Sequence, residues 1–258
     1  MRDRSSLHLL PASAGDAAEQ GFDWRRIRLV AFDVDGTLYD QKPLRLRMAA
    51  RLGLHCLAGA SLRSAGVLKT YRRLREDMAE AETEDFEHAL VGAVARRHGV
   101  APGIVRTLAS EWMEIRPLSA LAACRFPHVD TLFERIRTSG RDIGVLSDYP
   151  AKDKLGALSL GAHHMVCARE VGVLKPHPRG LQRLMAMAGA TPAQTVLIGD
   201  RIERDGEAAR RAGAYSLIRS RKPLKGARCF TRYDDRIFAG LDEPPDGASL
   251  PPMAANCN

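Results

Sequence analysis

Few of the features that mark special protein classes occur in this sequence of 258 residues. Its five cysteines, Cys56, Cys124, Cys167, Cys229 and Cys257, are odd in number, scattered and never in a C-x-x-C pair. That excludes a disulfide framework or a zinc cluster and points to a reducing compartment. No apolar run approaches the ~18 residues that a transmembrane helix needs, so no membrane span is expected. The N-terminus carries acidic Asp3, and its longest apolar stretch, residues 9–12, is too short for the h-region of a secretory signal. A cytoplasmic location follows. Aromatic residues make up only 5% of the chain and do not interleave with basic clusters as in RNA-binding motifs, so no nucleic-acid partner is expected. Lysine is scarce too: 7 of the 39 basic residues, the other 32 being arginine.

What is there fits an ordinary globular protein, with 45% apolar and 27% charged residues. The length suits one large domain, or one domain carrying a smaller insert. The net charge of +8 suits an anionic partner or substrate, although a bias toward arginine and alanine accounts for it equally well. Nothing in the sequence signals an oligomeric state.

The pattern along the chain predicts a flexible leader over residues 1–24, a core over 25–42 and 120–240, a helical subdomain over 43–119 and a disordered tail over 241–258. The first strand is expected at 27–34, where Leu29, Val30, Ala31 and Phe32 form an apolar run with both faces suited to burial. Residues 43–116 carry three or four helices, with breaks near 59–61, at Thr83 and at Ala101-Pro102. Beyond Pro127, helix and strand alternate: helices around 129–139, 151–160, 179–188 and 203–212, and strands at 142–146, 165–167, 195–198 and 215–218. Such alternation predicts an α/β fold with a parallel, Rossmann-like sheet, whose chemistry collects at the C-terminal strand ends.

Three of these strands run into acidic residues: Asp33 and Asp35, Ser147-Asp148, and Gly199-Asp200. That much negative charge at one sheet edge calls for a cation, and hard oxygen ligands suit Mg²⁺ together with a phosphate oxygen.

The motifs that carry these acids resemble the haloacid dehalogenase-like (HAD) superfamily in its helical-cap, phosphatase form. They are Asp33-Val-Asp35-Gly36-Thr37-Leu38, Ser147 after Val145-Leu146, Lys175 in the 172–178 segment, and Gly199-Asp200 followed by Asp205. They stand in the family's order across residues 27–220. The resemblance implies that Asp33 is a nucleophile forming an aspartyl-phosphate and that Asp35 is general acid and then base. Gly36, Thr37, Ser147 and Lys175 would bind the phosphoryl group, with Thr37 bonding near Asp35 and Lys175 also neutralising Asp33. Mg²⁺ would be held by Asp33, Asp200 and the backbone carbonyl of Asp35, with Asp205 acting through water or orienting Lys175. Asp148 stands where many relatives have Asn and receives no role.

His177 reads as a loop histidine, and the adjacent His163 and His164 are expected to point in different directions. The helical insert would be a cap over a small phosphorylated metabolite. Its arginines Arg45, Arg47, Arg51, Arg72, Arg73 and Arg75 are expected on solvated faces. The activity implied is a Mg²⁺-dependent phosphomonoesterase. A phosphomutase, or a catalytically silent binding protein with a basic surface, would share the scaffold; a dehalogenase would lack Asp35.

Overall fold

The computed structural model describes residues 22–57 and 62–246. Six parallel strands form a sheet in the order β3-β2-β1-β4-β5-β6: β1 Leu29–Phe32, β2 Asp142–Ser147, β3 His164–Cys167, β4 Thr195–Gly199, β5 Tyr215–Arg219 and β6 Arg228–Phe230. All four residues of β1 are fully buried, because the two-residue repeat sends them to two covered faces. Val30 and Phe32 join Ile143, Val145, Val196, Ile198 and Leu217 in the larger core, and Leu29 and Ala31 join Leu146 and Leu197 in the other.

Helices cover both faces. The helix that places Leu132, Phe133 and Ile136 in the larger core is α6, Val129–Thr138; on the opposite face lie α9, Arg179–Ala188, and α10, Glu207–Ala212. Gly180 lets α9 come close to the sheet: a Cβ there would lie 2.5 Å from Leu146 Cδ1. Between them in sequence run α7 (Lys152–Ala157) and α8 (Ala168–Val171).

The stretch between β1 and β2 is helical: α1 Gln41–Leu57, α2 Leu62–Glu80, α3 Phe86–His98, α4 Pro102–Ala109, a π-helical turn Ser110–Ile115 and α5 Leu118–Leu121. It has a small core of its own, with Val67 and Tyr71 from α2, Leu90, Val91 and Val94 from α3 and Val105 from α4. Leu44 and Met48 of α1 and the Trp112-Met113 pair pack into the main core instead. The insert is therefore anchored at one end and self-supporting at the other.

Both expected boundaries at the chain's ends move outward. The last residues of the expected leader are structured: Trp24 is buried, opens a short 3₁₀ turn and donates its indole N–H to Ile237 O at 2.6 Å. The expected tail begins inside the 3₁₀ helix Arg236–Asp242, where Leu241 is fully buried, and Asp246 N donates to Arg25 O at 2.7 Å. Apolar side chains paired across the two termini outweigh the loop-like composition of each. The rest of the expected leader, residues 1–21, and of the tail, residues 247–258, lie outside the described residues, as does the break expected at 59–61. Among the described residues no helix is long and apolar enough to cross a membrane.

Candidate active site

β1 lies between β2 and β4, so the residues following all three strands meet at one sheet edge. Phe32 is level with Val145 and Ile198, and the ladder continues with Asp33 N donating to Ile198 O at 2.9 Å. Asp33 thus stands one step beyond the register, and Ser147 and Asp200 follow on either side of it. This is the crevice in which open parallel sheets place ligands.

Asp33 is 5% exposed. Its Oδ1 accepts from Lys175 Nζ at 2.5 Å and its Oδ2 from Thr37 Oγ1 at 2.9 Å. The Thr37 hydroxyl therefore serves Asp33, correcting the expectation that it bonds near Asp35. The turn that begins at Asp35 returns it there, and the buried Tyr233 hydroxyl, donating to Thr37 O, fixes that turn.

Lys175 is equally buried and also donates to Asp205 Oδ1 at 2.6 Å. Asp205, expected early in an α-helix, lies in a π-helical turn, Ile202–Gly206, that precedes α10. The wider turn brings its Oδ2 back to the N–H groups of Asp200 and Arg201 at 3.2 and 3.1 Å. Two glycines make this packing possible. A Cβ on Gly199 would lie 2.3 Å from the Asp205 carboxyl, and one on Gly36, whose φ is +100°, would lie 2.2 Å from Asp200 Oδ2.

The Asp35 carboxylate faces away from this group. Both of its oxygens accept from Lys154 Nζ, at 2.6 and 2.7 Å, and the Tyr39 hydroxyl donates to Oδ1. Ser147 is 1% exposed and accepts from Tyr149 N at 3.3 Å.

Four carboxylates thus face two ammonium groups, and proton affinities record the excess. Burial, with Asp205, Asp200 and Asp35 adding to it against Lys175, pushes the Asp33 carboxyl well above the usual range. Burial and the adjacent Asp205 push Asp200 up to about 6. Lys175, despite burial, is held well above its ordinary value by Asp205 and Asp33. Burial would raise Asp35 as well, but Lys154 and Tyr39 more than offset it and keep its carboxyl below the usual range.

Asp33, Asp200 and Asp205 each offer an oxygen within 4.8 Å of the others. Hard oxygen donors with unsatisfied negative charge fit a divalent cation of the Mg²⁺ type. Asp205 already spends both oxygens on Lys175 and two backbone N–H groups, which suits it to orienting Lys175. Asp35 was expected to contribute a backbone carbonyl, and its carboxylate stands outside the cluster.

Four residues at the site are absent from, or misplaced by, the sequence reading. Lys154 comes from α7, the helix that follows the Ser147 strand end, and its only sequence signal is its place in that helix's first turn. Tyr39 was given no role, and the sequence marks it only as the residue after the 33–38 motif. Arg75, expected on a solvated helix face, is 6% exposed. It lies over the rings of Tyr149 and Phe86, at 4.2 and 4.8 Å, and donates to Asp148 O. Burial of α2 against the sheet edge, which helical periodicity could not show, turns it inward. Arg204 ties the loops together, donating to Lys175 O at 2.8 Å and to Glu76 Oε2 of α2 at 2.8 Å.

Of the histidines, His177 caps its own loop, accepting from Arg179 N at 3.2 Å. His163 and His164 do not diverge: both approach the Asp142 carboxylate, at 3.3 and 3.4 Å. His163 precedes β3, so strand alternation does not govern it.

The chain is similar to known proteins in sequence and in fold. Among characterised relatives, the glyceraldehyde 3-phosphate phosphatase of Methanopyrus kandleri is 28% identical over 202 residues, covering 74% of this chain and 83% of its own. The phosphoglycolate phosphatase of Salmonella typhi is 28% identical over 214 residues, covering 75% and 81%. In structure, the HAD-hydrolase YfnB of Bacillus subtilis, solved bound to magnesium, superposes with a TM-score of 0.60 over 84% of this chain and 99% of its own, at 16% identity. The 2-haloacid dehalogenase of Pseudomonas syringae does so with a TM-score of 0.57 over 77% and 90%, at 23% identity; at such identities the likeness is one of fold. Residues 27–213 match the haloacid dehalogenase-like hydrolase family, and with the parallel sheet and the acids on its strand ends this establishes that the chain is an enzyme of that family.

Proposed function

We propose that this hydrolase is a phosphomonoesterase for a small phosphorylated metabolite, with Asp33 as nucleophile and Mg²⁺ as cofactor. The observation that carries this reading is the buried Asp33 carboxylate, braced on one oxygen by Lys175 and on the other by Thr37. Asp35 stands two residues on with a cation of its own. One Asp33 oxygen attacks phosphorus, the ester P–O bond breaks, and the leaving oxygen receives, through the ionised Asp35 carboxylate, the proton that the substrate monoanion brings. Water then attacks the phosphorus of the aspartyl-phosphate and passes a proton through Asp35 to the phosphate, which leaves as the monoanion while Asp33 and Asp35 return to their ionised state. Lys175 and Ser147 neutralise and hydrogen-bond the phosphoryl oxygens, and Gly36 leaves room beside them.

Asp33, Asp200 and the backbone carbonyl of Asp35 would hold Mg²⁺, which supplies positive charge to the phosphoryl oxygens. Asp205 keeps Lys175 in place. The helical insert acts as a cap that excludes water and bulky substrates. The relatives' names, with glyceraldehyde 3-phosphate and phosphoglycolate as substrates, support a small substrate.

Purified protein with Mg²⁺ is expected to release phosphate from p-nitrophenyl phosphate or from members of a panel of phosphorylated metabolites. Asp33→Asn should lower kcat on the order of 10³-fold or more with an unchanged circular dichroism spectrum. Silence across the panel, or an Asp33→Asn variant as active as the parent, would overturn the reading.

A further inference from the structure

We infer that Lys154 is a positioning residue that locks the Asp35 carboxylate so that proton exchange with the leaving oxygen runs through Asp35 Oδ2; this rests on the phosphomonoesterase reading. A carboxylate offers about two lone-pair sites on each oxygen. On Oδ1 both are taken, by Lys154 Nζ at 2.6 Å and by the Tyr39 hydroxyl. On Oδ2 one is taken, by the same ammonium at 2.7 Å. One site remains open, and the clamp fixes its direction.

Lys154 is itself held. It is 3% exposed, and its Nζ lies 5.1 Å from the centre of the Tyr149 ring. Arg75 from the helical insert lies 4.2 Å from the same ring. The contacts thus run from insert to Arg75, Tyr149, Lys154 and Asp35, so that the position of the insert bears on the orientation of the proton carrier.

A stability role alone explains this poorly. A buried ammonium loses several kcal/mol of hydration, and a well-packed apolar side chain often does as well at such a site. The pair also spans two distant chain segments, β1's turn and α7, and converges on a carboxylate that stands outside the acidic cluster. General acids contribute on the order of 10²–10⁴-fold when held in place, and an unclamped Asp35 could rotate about both side-chain torsions.

The test compares kcat/KM, with Mg²⁺, for p-nitrophenyl phosphate and phenyl phosphate, which share the aryl phosphate frame and differ by a para nitro group that lowers the basicity of the leaving oxygen; each variant is read as its ratio to the parent on the same ester. Phenyl phosphate needs the proton more. Lys154→Gln is expected to lower kcat/KM about 100-fold for phenyl phosphate and no more than about 5-fold for p-nitrophenyl phosphate, and Tyr39→Phe to shift the ratio in the same direction by less. Lys154→Arg, which keeps the cation, should recover part of the loss. A purely structural role would lower both substrates together, and equal losses or an unchanged ratio in Lys154→Gln overturn the inference while leaving phosphatase activity established by the parent enzyme. If Lys154→Gln does not fold, Tyr39→Phe decides, and an unchanged ratio there overturns it. A parent enzyme inactive on both esters and on the metabolite panel instead overturns the phosphatase reading, and this inference falls with it.

Discussion

Asp200 shows how a single carboxyl reports on its site. Burial and Asp205 lift it to about 6 from an ordinary 3.8, so between those values the folded chain binds the proton that the unfolded chain has released. The contribution of Asp200 to folding stability is therefore fullest below about 4 and is lost as pH rises through 6; Asp33, also raised, adds in the same direction. A cation at Asp33 and Asp200 reverses this, because it binds the ionised forms. Relative to Asp200→Asn, the metal-free parent is expected to lose melting temperature between pH 4 and 7, and Mg²⁺ should restore it at pH 7 but progressively less below pH 6. A Mg²⁺ shift of equal size at pH 5 and pH 7 would remove Asp200 from the ligand set. At this scale Asp33, Asp35 and Asp200 were legible, since they follow apolar runs, whereas Asp205 came only with the family resemblance. Lys154, Tyr39 and Arg75 were not, because a lone basic or aromatic residue in a helix or turn looks the same whether it faces water or a carboxylate.

The elements legible in the sequence are those with an apolar run or stripe, the short β3 included although its first two residues are only partly buried. β1, β2, β4 and β5 appear as apolar runs, and α6 and α9 as apolar stripes ended by glycine. β6 escaped, because of its three residues only Phe230 is buried; an edge strand has little apolar pattern to show. The closing 3₁₀ helix escaped too, and what holds it is Arg141, placed just before β2 and 1% exposed. Its guanidinium donates to four carbonyls, those of Trp24, Ile27, Leu241 and Glu243, at 2.8–3.1 Å. One side chain thus joins both ends of the described chain to the sheet. Arg141→Met leaves those carbonyls without their donor and is expected to cost about 3–5 kcal/mol, read as a lowered urea midpoint. A loss under about 1 kcal/mol would mean that water replaces the guanidinium.

Over the whole molecule, the arginine excess becomes in part a seam between insert and core. Glu76 meets Arg201 and Arg204, Glu82 meets Arg211, Glu84 meets Arg179, and Glu87 and Glu114 meet Arg169. Most of these pairs are exposed and each contributes little, but Arg204 is 4% exposed and also grips the backbone of Lys175. Glu76→Ala should therefore weaken the seam by ~1 kcal/mol or more. The expected readout is faster amide exchange in α2 and in the 200–206 loop; exchange unchanged in both would show that apolar packing alone holds the insert. The sequence by itself determined the order of β1 to β5 and of the larger helices, the helical insert and the acids at the strand ends, because periodicity and apolar runs are local properties of the chain. Only the tertiary structure decided which cations meet which acids, since Lys154 and Asp35, or Arg204, Glu76 and Lys175, are brought together by sheet register and helix packing across long stretches of sequence. The same packing decided that residues 22–24 and 241–246, of unremarkable composition, belong with the core.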